Sequence, residues 1–147
     1  MRIKEFFRQV RFAESELKVL NAKLSHYEDL GFSFGGTAGA IGHSNRGTSR
    51  VELAACGHAD ALSALADKRR EYMAIIAKAE AIIDQIKQEK YRKILSYRYL
   101  CQWSFRSISD ELKYDDPNSV YRAHGWALVK AQEILDRMEE EEKGNDA

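Results

Sequence analysis

Residues 91–130, YRKILSYRYLCQWSFRSISDELKYDDPNSVYRAHGWALVK, decide how this chain is read. Ile94, Leu95 and Tyr99 fall on the inward side of a helix that continues from upstream, and Gln102-Trp103-Ser104 interrupts it. Ser104 is a good N-cap, because its hydroxyl can accept an orphan backbone N–H. Phe105, Ile108 and Leu112 then recur at i, i+3 and i+7, which predicts a short helix over 105–112. Lys113-Tyr114-Asp115 leaves that helix. Asp116 caps the next one, with Pro117 at the first helical position, where its missing N–H costs nothing. Val120, Ala127, Leu128 and Ala131 form the inward face of this last helix, flanked by Ala123 and His124. Helix, short turn, helix, turn, longer helix is the spacing of a helix-turn-helix, a unit that lays one helix in the major groove of DNA.

The side chains left outside suit that role. Asn118, Ser119, Tyr121 and Arg122 point away from the inward face, near the helix N-terminus. An arginine forks onto a guanine edge or a phosphate, an asparagine pairs with adenine, and hydroxyls bind phosphate. Arg106 and Lys113 add positive charge, with Lys90, Arg92, Lys93, Arg98 and Lys130 nearby. Over 87–137 there are ten basic and seven acidic residues. That surplus is modest, so a single copy should bind weakly and with strong salt dependence. Two copies would double the contacts. Tyr97, Tyr99, Trp103 and Trp126 are expected to pack, and so is His124 unless it serves as a cap.

Upstream, Ile3, Phe6, Val10, Ala13, Leu17, Leu20, Leu24 and Tyr27 recur in steps of three and four, a heptad pattern that predicts one helix over 1–30. Lys4, Glu5, Arg8, Arg11, Glu14, Glu16 and Lys18 lie off its seam. Residues 31–50, GFSFGGTAGAIGHSNRGTSR, hold six of the nine glycines and read as a flexible loop. Gly42 and Gly47 have the separation of a phosphate loop, but Thr48 stands where the lysine must be. Ser49 with Glu52 has capping-box spacing. A long central helix is predicted over 51–90, with Leu62, Leu65, Tyr72, Ile76, Ala79, Ile83 and Ile86 as its stripe. No Pro or Gly after Gly57 stops it before about Cys101. It is the simplest partner for the first helix, as a hairpin or coiled coil. Ile75 and Ile82 widen the apolar face, which points to a third helix or to self-association. Residues 139–147 read as a solvated acidic tail, since four glutamates oppose the dipole at a helix C-terminus. The fold class expected is therefore all-α: a long helical hairpin (1–30 with 51–90), then a helix-turn-helix unit over 91–138.

Composition narrows the function classes. The chain has 147 residues, 44% hydrophobic and 31% charged, with zero formal net charge. That excludes a polybasic coat but not a local basic face. No run approaches the roughly 20 apolar residues of a membrane span, and the charged N-terminal stretch is unlike a signal peptide. Cys56 and Cys101 make no disulfide framework, so a cytoplasmic location is expected, with Cys101 as a small buried group. Cys56 and His58 fall short of the four ligands of a structural zinc site. No nucleophile–base–acid arrangement stands out, so neither enzyme activity nor a cofactor is expected.

From Tyr91 to Leu135 the pattern resembles region 4 of bacterial sigma factors, on Ile108, Leu112, Val120, Ala127 and Leu128. The turn between Leu112 and Val120 is one residue longer than usual there. With Arg98-Tyr99, Trp103 and His124 added, the whole chain is similar to small phage and prophage late-transcription regulators of the ArpU/RinA-like kind. The resemblance implies a regulator that binds double-stranded DNA and acts with host RNA polymerase. The residues leave two other readings open. One is a DNA-packaging protein similar to a terminase small subunit, although such proteins place the DNA-binding unit first. The other is a coiled-coil interaction module that binds protein only.

Overall fold

The computed structural model describes the backbone of residues 1–38 and 45–146, and the side chains of 1–30 and 57–146. Every regular element among them is helical. In chain order these are α1 (Ile3–Ala38), α2 (Asn45–Asp84), α3 (Glu89–Leu95), a single π-helical turn (Ser96–Leu100), α4 (Phe105–Glu111) and α5 (Pro117–Asn145). No described helix is long and apolar enough to cross a membrane.

The chain divides into two units. One combines residues 1–14 with 73–147, and the other is residues 15–72. In the second unit the expected stripes are half-buried at Leu17, Leu24, Leu62 and Leu65, and Leu20 is buried. There the Tyr27 ring meets that of His58 at 5.9 Å.

The first unit has two cores joined along α5. Ala127, Leu128, Ala131, Ile134 and Leu135 pack with Ile3, Phe6, Phe7 and Val10 of α1 and with Ala79, Ile82, Ile83 and Ile86 of α2. Ahead of them, Val120 and Ala123 pack with Ile94 of α3 and Ile108 of α4. Ile82 is fully buried, as the widened apolar face required. Phe7, outside the expected seam, is fully buried too, stacked on Tyr99 at 4.5 Å.

Several expectations are corrected. The central helix does not run on to Cys101. It ends at Asp84, and Gln85 and Ile86 close tight turns onto the carbonyls of Ile82 and Ile83. No Pro or Gly stands there. Tertiary forces make the break: Ile86 is sunk in the core, and Arg92 donates to the freed carbonyls of Ile86 (2.5 Å) and Lys87 (2.9 Å). The loop reading of 31–50 fails at 31–38 and 45–50, which are helical. Glycine costs a helix about 1 kcal/mol relative to alanine, which weakens it without forbidding it. Ser49 is accordingly interior to α2 rather than its cap. Gly39, Gly42 and the rest of 39–44 lie outside the described residues, as does the side chain of Cys56. The acidic tail is helical to Asn145, and Glu139 accepts from the Met1 ammonium at 3.3 Å.

Candidate nucleic-acid interface

Both predicted caps shape the α4–α5 corner. Ser104 Oγ accepts from the Ser107 N–H at 3.2 Å and starts α4. Asp116 Oδ1 accepts from the Asn118 N–H at 3.0 Å, with Pro117 at the first position of α5. Between them, α4 ends in a Schellman motif. The Tyr114 N–H reaches the Ser109 carbonyl at 3.0 Å, the Lys113 N–H reaches Asp110 at 3.4 Å, and Lys113 itself adopts φ 58°.

The inward row of α5 anchors its orientation. With Val120, Ala123, Ala127 and Ala131 buried, Asn118, Arg122 and Gly125 share the opposite, exposed face at i, i+4 and i+7. The Arg122 guanidinium makes no hydrogen bond or ion pair among the described residues. Ser119 turns to one side, where it lines a cleft of about 550 Å³ with Lys90, Lys93 and Lys113. Tyr121 turns to the other and leans on the Phe105 ring at 4.5 Å. Arg106 is exposed in the first turn of α4, and nothing among the described residues ties it to the other five. Of the six residues singled out, five therefore surround the first two turns of α5.

Two packing expectations fail. Trp126 is 63% exposed because it sits about 120° around α5 from the buried row, at 100° per residue. Cys101 is exposed, at the residue where the π-turn closes. Tyr97 and Trp103 do pack, stacked at 4.3 Å.

A second cluster was missed. The Cys101 N–H donates to the Ser96 carbonyl at 3.0 Å, which closes the π-turn. The turn delivers Arg98 and Tyr99 toward α1 and α5. A cleft of about 250 Å³ is lined by Lys4, Arg8 and Arg11 of α1, by Arg98 and Tyr99, by Phe105, and by His124 and Leu128 of α5. Arg98 is fixed over the Phe105 ring at 4.2 Å and donates to the Trp103 carbonyl at 3.1 Å. Tyr99 Oη and His124 Nε2 share a hydrogen bond of 2.7 Å. Burial first, then the charges of Arg98 and Lys4, pull the His124 pKa down to about 4, so the ring is neutral near pH 7. Burial holds the Tyr99 hydroxyl above the usual tyrosine value. Burial, and then Arg11, lower Arg98. The sequence did carry a signal here. Lys4, Arg8 and Arg11 step by four and three, which puts them on one helical face. Reading them only as charges off a heptad seam hid that face.

No protein-family model, curated protein or solved structure matches the chain.

Proposed function

We propose that this protein binds double-stranded DNA, with the first turns of α5 as the recognition element of a helix-turn-helix made by α4 and α5. The observation that carries the reading is the exposed row Asn118, Arg122 and Gly125 on a helix whose opposite face is locked into the core. An arginine and an asparagine held rigidly at i and i+4 suit base edges in a major groove, and the capped helix start suits a phosphate. Ser119, Tyr121, Lys113 and Arg106 are assigned to the flanking backbone. The sigma-region-4 resemblance supports reading the chain as a phage or prophage transcription regulator working with host RNA polymerase.

The modest charge surplus favours action as a dimer. Light scattering should give twice the chain mass at high micromolar concentration, and a monomer there sinks the dimer.

The direct test is fluorescence anisotropy with duplexes selected from a random pool. Binding should saturate and weaken steeply with salt. Arg122→Ala should cost about 1–3 kcal/mol on the selected site if it forks onto a base. Undetectable binding to every duplex at low salt would end the reading.

A further inference from the structure

The cleft between α1 and the π-turn lies apart from the row Asn118, Arg122 and Gly125. It lies on the other side of Tyr121 from Asn118, and its cations come largely from a distant part of the sequence. Lys4, Arg8 and Arg11 approach from α1, Arg98 from the π-turn. None of the four is in an ion pair among the described residues.

Four cations facing one cleft of about 250 Å³ repel one another. Among the described residues no carboxylate lines the cleft, which leaves the site short of negative charge. Packing sets where the four are placed along the backbone. The Trp103 carbonyl and the Phe105 face hold Arg98, and the buried row Ile3, Phe7 and Val10 sets which way the other face of α1 points. The Gln102 side-chain amide donates to the Arg11 carbonyl at 3.1 Å, which ties the two walls together. The neutral His124 and the Tyr99 hydroxyl form a polar wall that brings no negative charge. The cleft has room for a phosphate group, and guanidinium forks match phosphate oxygens.

We propose that Lys4, Arg8, Arg11 and Arg98 form a phosphate-binding site. The phosphate has two candidate sources, the backbone of a duplex lying on α5 or a free phosphorylated small molecule. The cleft borders the α5 face through the Phe105–Tyr121 contact, which favours the backbone. That source rests on the DNA reading above; the free-phosphate source does not.

The test uses the full chain and the double variant Arg8→Gln/Arg11→Gln. Both residues are exposed, so the variant should keep the wild-type far-UV circular dichroism and melting temperature. In one arm, duplex anisotropy is followed across salt. The slope of log affinity against log salt should become shallower by about one for each phosphate that the variant no longer neutralises, whereas Arg122→Ala, a base contact on the reading above, should lower affinity and leave the slope unchanged. In the other arm, inorganic pyrophosphate is titrated while amide NMR signals are followed. Shifts at Arg98, Tyr99 and His124 that vanish in the double variant support the site, even if the wild type binds no duplex and the DNA reading fails. A duplex slope unchanged by the double variant, together with no pyrophosphate shifts at those three residues, overturns the proposal. Shifts with poly-glutamate but with neither phosphate probe also overturn it, and assign the cleft to an acidic protein segment instead.

Discussion

His124 ties stability to pH. Burial, with Arg98 and Lys4 as neighbouring charges, lowers its pKa to about 4 in the folded chain, against about 6.5 when unfolded. Between those values the unfolded state binds the extra proton. The stabilisation is therefore full above pH 6.5 and is lost as the pH falls toward 4. The ring is only partly buried, so after discounting for solvent the loss is about 1–2 kcal/mol. Urea midpoints for the wild type should fall over that window, and His124→Phe should flatten the fall. An equal pH dependence in the two proteins would assign the effect to other groups. Lys113 is at odds with its backbone. Its φ of 58° is a conformation that glycine adopts at no steric cost. Lys113→Gly should stabilise by about 1 kcal/mol. It should also make the duplex salt slope shallower by about one if the ammonium contacts a phosphate. Thermal melts and anisotropy separate the two effects.

The elements show what local chemistry could and could not announce. Ser104, Asp116 and Pro117 act through their own side chains on the next turn of backbone, so the starts of α4 and α5 were readable from three residues. The end of α2 was not, because Arg92 and the buried Ile86 make that break across a gap in the sequence. The π-turn has no marker either, since no Pro or Gly enters it. Its side chains settle on partners from four places: Trp103 for Tyr97, Phe105 for Arg98, and Phe7 with His124 for Tyr99. Helix periodicity predicted the buried rows but could not say which charged face of α1 would meet another element. Within α5, Gly125 stands in the helix interior with no atom within 4 Å of where a Cβ would lie. Packing does not require it. Gly125→Ala should therefore raise stability by about 1 kcal/mol. On the DNA reading, the added methyl lies in the row shared with Asn118 and Arg122, so duplex affinity should drop while the melting temperature rises. A rise in both would remove Gly125 from the interface.

At the scale of the whole molecule, the decisive fact is that the first unit is not continuous in sequence. Residues 1–14 complete a core whose remainder starts at Met73. Ile3, Phe6, Phe7 and Val10 supply one wall of it, and Gln132 ties the start of α1 to α5. It accepts from the Ile3 N–H at 2.7 Å and donates to the Met1 carbonyl at 2.9 Å. Burying a large apolar side chain is worth about 1.5–3 kcal/mol, so these four contribute on the order of 6–12 kcal/mol as an upper estimate. That is comparable to the whole stability of an ordinary domain, about 5–15 kcal/mol. The helices α4 and α5 should therefore not stand alone, although the sequence reads as a separable unit from about residue 91. A fragment of residues 73–147 should lose the near-UV circular dichroism of Trp103 and its aromatic neighbours and melt without a sharp transition. Supplying residues 1–14 through a short linker to the fragment should restore both. Phe7→Ala in the full chain should cost about 3–5 kcal/mol, the range for emptying a fully buried phenylalanine site. If the bare fragment instead unfolds cooperatively at the wild-type midpoint, the wall built by α1 is dispensable, and α4 and α5 belong to a domain that forms without it.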